Sequence, residues 1–181
     1  MATIRGTTKR EVLQRSVDLL KTSNDYYKSR VFVMAGAELP PNIMDQDLIT
    51  CSISGGQFSY GEQAGGAQYS VPYQGTMRVS LWHTCRTDRQ GVDYDALMAS
   101  RKGLFSMETD VLRVMLGTLL PGETSYDPIL TQCMYVIDDT EATRAADAVF
   151  GKLPSGDMAQ SVLTISFGVD FHWNMTAEED R

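Results

Sequence analysis

From Val162 to Trp173 the chain alternates. Leu163, Ile165, Phe167, Val169, Phe171 and Trp173 are interleaved with Thr164, Ser166, Gly168, Asp170 and His172. A period of two over this length predicts a long antiparallel strand with one buried face, and it places Phe167 and Phe171 in the core. Met77 to His83 carries the same signal, with Met77, Val79, Leu81 and His83 on one face and Arg78, Ser80 and Trp82 on the other. The two strands are expected to lie side by side. Asp47 to Ser54 and Thr131 to Ile137 read as further strands, and Tyr26 to Ala35 as β-like. A helical period replaces this one twice. Thr8-Lys9-Arg10-Glu11 has the form of a capping box, and Val12, Leu13, Val17 and Leu20 follow on one face, so a helix is expected over Lys9 to Thr22. From Asp93 to Gly117, Leu97, Met98, Leu104, Phe105, Val111, Leu112 and Met115 recur at steps of three and four. Gly103 interrupts that pattern at a cost of about 1 kcal/mol relative to Ala, which marks a kink or a split into two helices. Residues 138–158 form an acidic, Ala-rich connection with room for a short helix from Glu141 to Phe150. The expected fold class is α+β: a single, mainly antiparallel sheet with helices packed on one face.

Residues 55–75 break the pattern. They are rich in glycine and hold the aromatics Phe58, Tyr60, Tyr69 and Tyr73. The segment reads as a flexible arm, a long extended loop or hairpin. Ordering so many glycines is costly, and leaving the aromatics in water is also costly. Both tensions ease if the arm orders against another protein.

Length and composition narrow the classes. The chain has 181 residues, 43% of them hydrophobic and 22% charged. One domain over 1–181 is expected, with 176–181 as a polar tail. Mean hydropathy is −0.21, and no apolar run is long enough for a membrane helix. The first 21 residues hold Arg5, Lys9, Arg10 and Arg15 without the apolar core of a secretory leader, so none is expected. Cys51, Cys85 and Cys133 are widely spaced, which suits reduced thiols better than a disulfide framework.

The net charge of −7 is unevenly spread. Residues 1–30 carry a net of +4, residues 31–77 hold no Lys or Arg, and residues 114–181 carry a net of −8. The acidic bulk argues against duplex DNA binding, which needs a basic face. The basic opening segment reads as a solvated helix face or one side of a protein contact.

No catalytic constellation emerges. His83-Thr84-Cys85 puts an imidazole and a thiol on one strand face, but four metal ligands would need Cys51 or Cys133 from other strands, and buried thiols are the simpler reading. No glycine elbow or helix start activates either sulfur as a nucleophile. The glycines at 55–66 lack the Gly-Lys-Ser/Thr of a phosphate loop. Asp138-Asp139 beside Glu141 reads as a solvated acidic turn. No metal, cofactor or enzymatic activity is expected, and the chain reads as a protein that works by assembling.

These features bring a family into view. The opening helix around Glu11-Val12-Leu13-Gln14, the strand Gly75-Thr76-Met77-Arg78-Val79-Ser80-Leu81-Trp82, the Asp93–Leu116 helix after it and the closing strand Val162–Phe171 resemble the tail terminator (tail completion, head–tail joining) proteins of long-tailed bacteriophages. The likeness is one of element order and length over Thr7 to Trp173. It implies a ring, usually a hexamer, at the head-proximal end of the tail tube, stopping tube growth and joining tail to head. The implied partners are further copies of the chain, the tail tube protein and the head connector or stopper protein. Genomic DNA would pass through the lumen without specific binding, eased by acidic walls that repel phosphate. The implied location is the virion neck, after assembly in the host cytoplasm. Subunits of such a ring meet head to tail, each presenting two different surfaces. Phe58, Tyr60, Tyr69 and Tyr73 of the arm, with Arg10 and Arg15 of the basic segment, are the candidate subunit or tail-tube contacts. The alternatives are another neck component (a head-completion or stopper protein) or, from a different class, a cellular ligand-binding or adaptor domain.

Overall fold

A computed structural model of the chain describes residues 5–34, 47–53, 55–58, 70–86, 103–116, 134–139, 143–144 and 158–174. The elements are β1 (Arg5–Thr7), α1 (Lys9–Ser23), a 3-10 turn (Asp25–Tyr27), β2 (Val31–Val33), β3 (Leu48–Ile53), β4 (Gln57–Phe58), β5 (Ser70–Arg86), α2 (Leu104–Met115), β6 (Met134–Asp139), β7 (Thr143–Arg144) and β8 (Met158–Asn174). The eight strands among the described residues belong to one sheet of order β1-β8-β5-β3-β2, with β4 also on β5, and β6 and β7 also on β8. The fold is α+β with a mainly antiparallel sheet.

The centre of the sheet is the pair β5 and β8. Each has 17 residues, paired without a break from Ser70↔Asn174 to Arg86↔Met158. Such a ribbon spans about 55 Å, several times the usual strand. Both alternations predicted from sequence fall on it in phase. Tyr73, Met77, Val79 and Leu81 lie opposite Phe171, Phe167, Ile165 and Leu163, and all eight are buried. Ile49 and Cys51 of β3 extend the same face, Ile49 opposite Leu81 and Cys51 opposite Val79.

Both described helices, α1 and α2, cover this face. From α1 come Val12, Val17, Leu19 and Leu20; from α2 come Leu104, Met107, Val111, Val114 and Met115. Thr8 caps α1, its Oγ1 accepting from the Glu11 N–H at 3.1 Å. The expected capping box is half made, because the Glu11 carboxylate turns to Arg15, 3.0 Å away. Ser16 is buried in mid-helix and satisfies itself on the Val12 carbonyl at 2.7 Å. Gly103 is the N-cap of α2, with φ −64° and ψ 164°, so the sequence break at glycine is a helix start in the structure. The expected stretch 93–102 lies outside the described residues.

The opposite face is polar along most of its length. Ser52 with Arg78 and Ser166, and Ser80 with Thr164, form cross-strand rows, and the Ser80 and Thr164 hydroxyls meet at 2.9 Å. At one end it is apolar. Leu48 and Trp82 are buried there, with Phe32, Met34 and Val162 packed around them, and the Trp82 indole donates to Thr50 Oγ1 at 3.0 Å. Alternation had placed Trp82 on the face away from the core, and it does lie there, but in a second small core.

Several expectations are corrected. Of the two forms expected for residues 55–75, loop or hairpin, the described ends take the hairpin. Residues 55–58 and 70–75 form the continuation of a hairpin, and 59–69 lie outside the described residues. β3 and β4 follow each other along the same edge of β5. Ile53 lies opposite Met77 but Gln57 lies opposite Gln74, so the edge gains one residue over β5 between them, a one-residue bulge. The bulge shifts the register, so Phe58 rather than Gln57 lies opposite Tyr73. A Cβ on Gly56 would run into the Gln74 carbonyl and the Tyr73 hydroxyl, which is why glycine stands at the bulge. Tyr26 to Ala35 begins as a 3-10 turn, held by the Asn24 side chain accepting from the Tyr26 N–H at 2.9 Å, before becoming β2. Asp138-Asp139 ends a strand instead of forming a turn, and Thr143–Arg144 is a strand within the expected Glu141–Phe150 helix. Residues 176–181 lie outside the described residues.

Candidate functional site

The six predicted contact residues separate in the structure. Tyr60 and Tyr69 lie outside the described residues. Phe58 is 42% exposed on β4, whereas Tyr73 is fully buried on β5. Tyr73 is therefore no surface contact of the folded chain. The register of β5 on β8 points it inward, onto Phe171 at a centroid distance of 5.0 Å. Phe58 covers its outer side at 5.2 Å. The Lys9 ammonium sits 4.6 Å above the Tyr73 ring and 5.9 Å from that of Phe58, a cation–π clasp between the first turn of α1 and the hairpin. Gly75 allows the packing, since a Cβ there would overlap the Tyr73 ring. Arg10 is exposed on α1, and Arg15 is held by Glu11 on the same helix. The structure thus gathers Phe58 and Tyr73, with Lys9 in place of the predicted arginines.

A second polar group forms where β3 begins. The Tyr26 hydroxyl donates to Asp47 Oδ2 at 2.6 Å, and Arg30 donates to the same hydroxyl at 3.0 Å while lying 4.2 Å over the ring. Asp47 Oδ1 is 3.1 Å from His83 Nδ1, which is shielded from water and makes no hydrogen bond. Burial, then the bond to Asp47, pushes the Tyr26 phenol well above its ordinary range. The neighbouring Tyr27 is buried and donates to Asp110 Oδ2 on α2 at 2.7 Å, which shifts it the same way and ties the 3-10 turn to the helix layer. Sequence reading missed both links. Tyr26 and Tyr27 looked like strand residues, and Asp47 meets His83 only once β3 is registered on β5.

These groups hold elements together. Cys51 is buried, and its thiol is pushed up to about 12 by burial, which makes it inert. The side chains of Cys85 and Cys133 lie outside what is described. Among the described residues no three His, Cys, Asp or Glu side chains come together. What remains for contact is the surface. Among the described residues, the exposed large apolar ones are Val33 on β2, Phe58 on β4, Phe105 on α2 and Leu116 just beyond it. No family model matches the chain, and no curated protein matches it in sequence.

Proposed function

We propose that this chain is a structural virion protein of a long-tailed bacteriophage. It is a tail terminator that forms a ring, a hexamer, at the head-proximal end of the tail tube, where it stops tube growth and joins tail to head. The observation that carries the reading is the arrangement of elements. An opening helix, a hairpin, a second helix and a long closing strand are laid on one sheet, and the helices among the described residues share a face of it. That order is the one on which the resemblance rests. The split of charge between residues 1–30 and 114–181 adds support, because head-to-tail subunits need two unlike surfaces.

In this role the protein works by assembly. Its partners are further copies of itself, the tail tube protein and the head connector, and DNA passes through the lumen unbound. Its place is the neck of the virion. Negative-stain imaging of the purified protein tests the reading. Rings of uniform diameter are the expected result. A dispersed population of single 20.1 kDa particles would sink it.

A further inference from the structure

The sheet has two dissimilar sides. β2 ends one of them, and among the described residues it pairs with β3 alone. On the other side β6 lies along the outer edge of β8. β2 is parallel to β3, β3 antiparallel to β5, β5 antiparallel to β8, and β8 antiparallel to β6. β2 and β6 therefore point in opposite directions. A second copy set beside the first without being turned over brings its β6 antiparallel to this β2, the better paired of the two ladder types.

The backbone of β2 is set for this. The Arg30 carbonyl accepts from the Ile49 N–H at 2.8 Å, and the Met34 N–H donates to the Cys51 carbonyl at 3.1 Å. Alternation then turns the N–H and C=O groups of Val31 and Val33 outward, away from β3. Neither lysine nor proline interrupts Val31-Phe32-Val33, the residues that usually blunt an edge. Val33 is 55% exposed, the most exposed large apolar residue described.

The sequences also fit. With Val33 placed opposite Met134, the antiparallel alignment runs Phe32 to Tyr135 and Val31 to Val136, apolar against apolar. Beyond Val136, where β6 shifts its register on β8 by one residue, the Lys28–Arg30 end comes to the Asp138–Asp139 end of β6. We propose that β2 of one copy pairs antiparallel with β6 of the next, so that the sheets join into one continuous belt around the ring. The occupant of the β2 edge is a second copy of this chain. The inference rests on the ring reading above and gives that ring its contact.

The test uses the full chain and its Val33→Asp variant, compared by sizing and negative-stain imaging. Val33 is half exposed, so the variant is expected to melt like the parent and to need a protein concentration at least about tenfold higher to form rings. Lys28→Glu, at an exposed position, serves if Val33→Asp does not fold. It should weaken assembly, and Asp139→Lys should restore it. In a Cys85→Ser, Cys133→Ser background, Val33→Cys with Met134→Cys should give a ladder of disulfide-linked multimers on oxidation. Rings unchanged by both Val33→Asp and Lys28→Glu overturn the β2–β6 contact and leave the ring reading standing. Dimers from Val33→Cys alone, with no ladder from the double variant, overturn it in favour of two β2 strands meeting about a two-fold axis. A parent protein that never forms rings overturns both.

Discussion

Tyr26, Tyr27 and Cys51 share one electrostatic consequence. Burial comes first among the causes that raise all three, and hydrogen bonds to Asp47 and Asp110 add to it for the tyrosines. In each the protonated form is the one the fold favours. The stability they contribute is fully present below their ordinary pKa values and is lost as pH rises above them, because the unfolded chain then releases protons that the folded chain keeps. The denaturant midpoint should therefore fall above about pH 10. Ultraviolet titration should show at least two tyrosines that ionise only on unfolding. Tyr27→Phe should remove one of them, flatten the alkaline decline, and cost about 1 kcal/mol at neutral pH through the lost bond to Asp110. A variant with the parent's alkaline profile would show that Tyr27 is not held as described. Cys51 should resist alkylation in the native protein and label only in denaturant, as peptide mapping would reveal.

At the scale of elements, the ribbon and the hairpin carry the fold. Phe167 is fully buried opposite Met77, and Phe167→Ala should cost about 3–5 kcal/mol in chemical denaturation. Gly56→Ala should cost about 1–3 kcal/mol, because its methyl group meets the Gln74 backbone at the bulge and a tyrosine that cannot swing away. A Gly56→Ala protein with unchanged stability would mean that the bulge relaxes freely. The sequence made some of this legible and hid the rest for physical reasons. Strict alternation in β8 and a hydroxyl cap before α1 are local signals, and both predicted elements match the structure to within a few residues. The inward turn of Tyr73 was hidden. Pro72 and Gly75 obscure the alternation, and the register comes from β8, almost a hundred residues further along the chain. The bulge that aligns Phe58 with Tyr73 is likewise a property of pairing. Lys9 on the aromatic rings and Asp47 beside His83 depend on tertiary placement that no spacing encodes.

The whole molecule is asymmetric: it has a basic opening segment, an acidic second half and two unlike sheet edges. If charge helps align neighbours, assembly should weaken as salt rises from about 0.1 M to 1 M, where the screening length shrinks to about 3 Å. The apolar contact of the β2 edge should keep some assembly at the higher salt. Closure of copies of this chain into the proposed ring can be followed by native mass spectrometry over a range of protein concentrations. One closed stoichiometry, six copies, should grow at the expense of monomer with few species between. A chain that stays monomeric at every concentration, or an open ladder of sizes with no preferred number, would contradict it.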